Sequence, residues 1–458
     1  MGLMQSYPEV DRALELFTKQ EQDQIRKIFK EIAGENSVSF SRDDLERYLK
    51  DVLPPSISTC LHNEMCNILV SKSSRTHHTH VDEKSFVVSL TYLLKGTLSQ
   101  RSEVFMSITT VNTTATLEQL EQTVQMLLDA YVKLMMKTPQ YATWKIPYDS
   151  EKNLLFAKFL MHSLVFNADG SPLKSEDVYT LEDLENWISK SAFISHLMDY
   201  IFYTCFNVSY VEDMTAVAFH TPKIPFCSDV DWNSTKSLLD VTSLICLNHS
   251  IPKELGVKWR LLFSTATDGE SFSTMVKYIT NEGPTMLIIK DKDGYLFGGF
   301  AATPWEISPE WVGTTRCFLF TLFPQIGRFF PSGYNDHYQY LNQGQQTMPN
   351  GLGMGGQLDH FGLWIDSEFG IGNSKALPKC TTYNSPQLSK EPNFAIEVLE
   401  VWGVGEAPAR SKKVTSVLDK DPSGKALLNL AGKQMASEGL RSTDATAESP
   451  EEHSLPAM

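Results

Sequence analysis

Between Gly351 and Gly405 the chain reads GLGMGGQLDHFGLWIDSEFGIGNS, then CTTYNSPQLS, then FAIEVLEVWGVG. Few folds accept such a pattern. Aromatic and aliphatic residues alternate with polar ones in short runs, and glycines or paired polar residues separate the runs. That is the grammar of an antiparallel sheet with tight corners. Upstream, WRLLFSTATDGESF (Trp259 to Phe272) and DKDGYLFGGFAATPW (Asp291 to Trp305) follow the same rules. Asp293-Gly294 falls between two β-rich runs and reads as a hairpin turn. Cys317 to Phe323, Phe361 to Asp366 and Phe394 to Val404 supply further strands. Ser271 or Ser273 caps a helix with Phe272, Met275, Val276 and Ile279 on one side. A β-sandwich with a few covering helices follows.

The first half obeys a different period. Residues 17–53 read as helix, loop, helix: Ile25, Ile28, Phe29 and Ile32 make an apolar stripe, Gly34 to Ser41 interrupts it, and Asp43 to Leu53 resumes it until Pro54-Pro55. A second such unit runs from Cys60 to Val70, through SKSSRTHHTH, to Glu83 to Leu94. This layout resembles an EF-hand pair, yet neither GENSVSFSRDD nor KSSRTHHTHVDE offers the alternating oxygen ligands, central Gly and terminal Glu of a working calcium loop. His77, His78 and His80 lack cysteine partners and read as a solvated loop, not a zinc site. Leu117 to Val132, Leu154 to Val165 and Leu181 to Phe206 continue the helical pattern, with NADGSPLKSED (Asn167 to Asp177) as another imperfect calcium loop. These helices are too apolar on one face to stand alone, so they are expected to dock on the β half. The whole chain is therefore α+β.

Taken together, the β-half motifs closely resemble the TLDc domain of the oxidation-resistance and nuclear-coactivator families, over roughly residues 236–406. Paired with EF-hand-like helices, the arrangement looks most like the mTOR-associated, lysosome-linked branch of that family. The resemblance implies partners: the peripheral stalk and catalytic head of the vacuolar-type proton ATPase, and mTOR complex components. It also implies a peripheral place on the cytosolic face of the lysosomal membrane, and no cofactor.

Bulk properties narrow the function classes. With 458 residues the chain can hold about three domains. A formal net charge of −15 argues against a nucleic-acid partner, which requires a basic face. No apolar run reaches a membrane span, and no secretory signal opens the chain. Seven scattered cysteines, none in a CxxC pair, read as reduced cytosolic thiols. Gly351-x-Gly353-x-x-Gly356 mimics a dinucleotide fingerprint but precedes a strand where that motif needs a helix, so close backbone packing is the better reading. Asp359-His360 with Cys317 or Cys380 is the alternative, a thiol-based redox or hydrolytic site. It would need an imidazole to lower a thiol pKa. The expectation is a binding protein, not an enzyme.

Candidate contact residues lie at the two ends and in the β loops. Met1-Gly2-Leu3-Met4-Gln5-Ser6 fits the myristate acceptor pattern at Gly2 and equally an ordinary start followed by a small residue; the resemblance favours acylation. One acyl chain binds membranes only marginally, so a second attachment is required. Past a basic linker (Arg410, Lys412, Lys413), Leu427, Leu428, Leu430, Ala431 and Met435 form an apolar stripe with no core of its own. It either folds back or enters a partner's groove. Loop carboxylates, chiefly Asp268, Glu270 and Asp359 with Asp291, Asp293, Asp366 and Glu368, either serve turns or face a basic partner. The expected layout is an N-terminal segment (1–16), an EF-hand-like domain (17–135), a second helical region with connector (136–235), TLDc (236–406), linker and C-terminal helix (407–440), and an acidic disordered tail (441–458).

Overall fold

The computed structural model describes residues 8–69, 79–166, 171–174, 177–208, 224–357, 359–375 and 377–408. The described residues up to 408 form one compact unit, and 409–458 lie outside the described residues. The fold is α+β, as the two periodicities require.

The helical half starts with α1 (Pro8–Glu15), α2 (Lys19–Ala33), α3 (Arg42–Leu49), α4 (Pro55–Asn67) and α5 (Glu83–Lys95). Helix α1 falls inside what reads from sequence as a plain N-terminal segment; its Val10, Ala13 and the following Phe17 are buried. Pro55 does more than end a helix. It occupies the first turn of α4, where its missing N–H has no intrahelical use. The loops after α2 and α4 are joined by a two-strand ladder, β1 (Ser39–Phe40) with β2 (Val81–Asp82). That ladder ties the two helix–loop–helix units into a pair.

A second pair repeats the design with α6 (Leu98–Thr109), α7 (Leu117–Met135), α8 (Ser150–Val165) and α9 (Leu181–Lys190). Here the loops meet at Ala115 and Tyr179, which exchange backbone hydrogen bonds of 3.0 and 2.9 Å. The apolar run Leu181 to Phe206 is broken, because Ser191 ends α9 and begins α10 (Ala192–Cys205). Helix starts follow a shared rule. Thr18, Ser41, Thr97, Thr116 and Thr180 each accept from the backbone three residues on, while the Glu, Asp or Gln found there accepts from the cap's own N–H.

In the β half, β3 (Phe226–Ser228) lies in what reads from sequence as connector, and pairs in parallel with β4 (Lys258–Ser264). Between them lies α11 (Val241–Ser250), which the sequence pattern hides. Its residues from Val241 to Asn248 are all buried, so it has no amphipathic stripe to read. After β4 come α12 (Thr265–Asp268) and α13 (Phe272–Ile279), the latter capped by Ser271. Ten strands complete the sandwich: β5 (Thr285–Asp291), β6 (Leu296–Ala301), β7 (Ser308–Val312), β8 (Phe318–Phe323), β9 (Gly327–Phe329), β10 (Gln339–Asn342), β11 (Gly351–Gln357), β12 (His360–Asp366), β13 (Ile371–Asn373) and β14 (Asn393–Val404).

Strand β14 belongs to both layers. Residues 393–395 pair with β13, extending the layer β7-β10-β11-β12-β13. Its later residues lie between β4 and β5, in the layer β3-β4-β14-β5-β6-β8-β9. The inner faces close on each other, with Leu287, Ile289, Phe297 and Leu319 meeting Leu352, Met354, Leu363 and Ile365. The other face of the β4–β9 layer is also buried. Met286, Ile288, Phe300, Phe318 and Phe320 join one core with the helices. Each such side chain contributes roughly 1.5–3 kcal/mol by leaving water. Burial on both faces explains why TMLIIKD and FLFTLF lack strict alternation.

Candidate functional site

The helices and the sandwich meet around four tryptophans. The Trp144 ring centre lies 5.2 Å from that of Trp402, 5.9 Å from Trp232 and 6.4 Å from Trp259. Their indole N–H groups are all satisfied: Trp144 donates to the Pro225 carbonyl at 2.8 Å, Trp232 to the Thr143 carbonyl at 3.0 Å and Trp259 to Asn248 Oδ1 at 3.1 Å. Trp402 donates to Glu400 Oε2 at 2.9 Å. Glu400 is fully buried and also accepts from Ser237 Oγ and from the Leu238 amide, each at 2.9 Å. Burial pushes its carboxyl pKa above the usual carboxylate value, against the pull of those three donors. Neither Glu400 nor the tryptophan group stands among the sequence candidates. The signal was an acid at an inward position of the run FAIEVLEVW, whose other acid, Glu397, is exposed.

The loop carboxylates divide. Glu270 is exposed beyond α12 and, among the described residues, makes no side-chain hydrogen bond; Asp268, also exposed, accepts from the Ser264 amide at 2.8 Å and so serves its own turn. Asp359 sits at the tip of the β11–β12 hairpin with φ +67°, a turn conformation that short polar residues tolerate. Asp268 and Glu270 share one loop, and Asp359 occupies another. Asp291 does not face a partner. It is fully buried, accepts from the Tyr295 amide at 2.8 Å, and its pKa is raised by burial. Asp293 pairs with Lys390 at 3.5 Å, and Asp366 accepts from the Glu368 amide at 2.9 Å. Gly2, Leu427, Leu428, Leu430, Ala431, Met435, His77 and His78 lie outside the described residues.

The glycines of GLGMGGQ all lie within strand β11. A side-chain carbon at Gly351 would fall 2.4 Å from the Trp364 ring, and one at Gly353 would fall 3.0 Å from it. Their bareness lets Trp364 lie flat on β11, where Phe361 stacks on it at 4.4 Å. No helix follows to receive a pyrophosphate.

The two candidate thiols are sealed in the sandwich. Cys317 and Cys380 are both buried near Tyr383, and burial pushes both thiol pKa values up. His337 stacks on Trp311 at 4.8 Å, with Nδ1 2.6 Å from the Gly356 carbonyl, and His360 is exposed. Among the described residues, no imidazole reaches either sulfur to stabilise a thiolate. In the first EF-hand-like loop, Asp44 spends its carboxylate on the Ser41 hydroxyl and amide at 2.7 and 3.0 Å, which lower its pKa. Among the described residues, no group of three or more His, Cys, Asp or Glu is placed to hold a metal ion.

Similarity to known proteins agrees with this architecture. The family described as TLDc domain matches residues 232–405, which takes in Trp232, both Ser237 and Leu238, and β14. The protein named MTOR-associated protein MEAK7 from Gallus gallus is 37% identical over 449 residues, covering 93% of this chain and 95% of that protein. Its namesake from Homo sapiens is 33% identical with the same coverage. Nuclear receptor coactivator 7 from Homo sapiens is 36% identical over 168 residues, only 36% of this chain and 17% of that protein. Similarity that spans helices and sandwich together places the chain in one group: it belongs to the TLDc-domain family of MTOR-associated protein MEAK7.

Proposed function

We propose that this chain is a non-enzymatic, mTOR-linked adaptor that grips the vacuolar-type proton ATPase on the cytosolic face of the lysosomal membrane. The observation that carries the mTOR link is similarity over 93% of the chain to proteins named as mTOR-associated. The helical half and the sandwich share one core, which favours a rigid recognition body. A non-enzymatic reading is favoured by the sealed Cys317 and Cys380, whose thiols titrate above their usual range. The exposed Glu270 and Asp359 offer negative charge to a basic partner, the 427–435 stripe offers an apolar second contact, and an acyl chain on Gly2 offers a third. Several weak attachments on one chain raise residence through effective concentration.

The test is affinity purification from lysosomal membranes with the full chain, Gly2→Ala, a truncation after residue 410, and Glu270→Lys combined with Asp359→Asn. Proton-ATPase subunits and mTOR components should co-purify with the full chain. Gly2→Ala should lower the membrane-bound fraction, and the other two variants should lower ATPase recovery. Absence of ATPase subunits from the full-chain eluate would refute the ATPase part; absence of mTOR components would refute the other.

A further inference from the structure

The β8–β9 hairpin and the helical half enclose a cleft of about 880 Å³, within the range that holds small-molecule ligands. Phe159 of α8, Phe193 of α10, Phe329 of β9 and Leu388 give it apolar walls. Among the described residues its charged lining side chains are Lys190 and Arg328, and no Asp or Glu lines it. This one-sided charge stands out in a chain whose Asp and Glu total 55 against 40 Lys and Arg.

Arg328 is held for presentation. Its guanidinium lies 4.9 Å from the Phe159 ring centre, and Nη1 donates to Ser250 Oγ at 2.9 Å. Its Nε–H is buried without a hydrogen-bond partner among the described residues, a costly state for a cationic donor. Among the described residues neither Arg328 nor Lys190 forms an ion pair with a carboxylate. The first turn of α10 also lines the cleft, and Ser191 makes no side-chain cap bond to it. Two cations without a carboxylate partner and a helix start without a side-chain cap therefore border one cleft that also has aromatic walls.

We propose that this cleft binds a small organic anion, a phosphate ester or carboxylate with an apolar or aromatic body, whose charge is met by Arg328 and Lys190. The body packs against Phe159, Phe193 and Phe329. Because the cleft straddles the seam between helices and sandwich, an occupant stabilises the two halves against each other. This assignment does not depend on the adaptor reading. An acidic lipid headgroup presents the same chemistry as a soluble phosphate ester.

The experiment uses the full chain with two probes: phenyl phosphate in titration calorimetry, and phosphatidic-acid vesicles against phosphatidylcholine vesicles in co-sedimentation. Benzyl alcohol serves as the uncharged control. Saturable binding in either arm is expected, with none for benzyl alcohol, and the arm that responds identifies the source of the anion. Arg328→Gln should weaken binding by about tenfold and the exposed Lys190→Gln by about threefold, with Arg316→Gln unchanged. Lys190→Gln keeps the test decisive if Arg328→Gln does not fold. No saturable binding in either arm, or binding that Lys190→Gln leaves intact, would overturn the proposal.

Discussion

The Glu400 carboxylate and the Leu238 amide meet at 2.9 Å, tying the segment that enters the sandwich to the strand that finishes it. Removing the acid strands three donors in a dry site: the Leu238 amide, Ser237 Oγ and Trp402 Nε1. Glu400→Ala should lower unfolding free energy by about 2–4 kcal/mol, read by urea denaturation.

The same group gives a pH signature. Its folded pKa is raised above the ordinary 4.5, so the unfolded chain loses this proton first as pH climbs. The proton's stabilising contribution is complete below 4.5 and disappears as pH rises through the raised folded value. Glu400→Gln should flatten that part of the stability profile. An identical slope in both proteins would show that Glu400 is not its source.

Trp144 contacts three other indoles across the seam. Trp144→Ala should cost about 3–5 kcal/mol, the usual range for emptying a large aromatic site. Since helices and sandwich share one core, far-ultraviolet and tryptophan-fluorescence melts should stay coincident in the native protein. Separate transitions there would contradict a shared core.

Gly298 on β6 tolerates no side chain, because an added carbon would lie 1.9 Å from the Leu287 carbonyl oxygen. That oxygen belongs to the paired β5 backbone and cannot retreat without opening the ladder. Gly298→Ala should destabilise by about 1–3 kcal/mol or aggregate, measured by thermal melting and soluble yield.

Thiol chemistry offers a fifth check. Burial raises Cys205, Cys227 and Cys246 to about 12 and Cys66 to about 11, and lifts Cys60, Cys317 and Cys380 as well. At pH 7.5 native alkylation should be slow at all seven positions and fast in denaturant, followed site by site by mass spectrometry. Rapid native labelling of Cys317 or Cys380 would revive the redox alternative.

Much of this was legible in the sequence where one face is wet. The stripe Ile25, Ile28, Phe29 and Ile32, the cap at Ser271 and the turn at Asp293-Gly294 each carry a local cause, and the structure follows them. Legibility failed where burial is complete or contacts are distant. Helix α11 is covered all round, so no period marks it. The sequence reading left open whether the loop acids served turns or a partner; Asp291 turned inward because its carboxylate closes a turn through the Tyr295 amide. Glu400 joins residues more than 160 positions apart, a relationship that no window of local sequence contains.

Strand β14 is the last described element of the folded unit, yet it fills the gap between β4 and β5. On the ribosome, β4 and β5 emerge more than a hundred residues before it. Until then each presents a bare hydrogen-bonding edge, with Phe263 and Leu287 among the side chains left without their eventual neighbour Val401. A nascent chain of this design depends on a late-arriving keystone, and any frameshift or stop shortly before residue 393 would leave the whole β half unable to close.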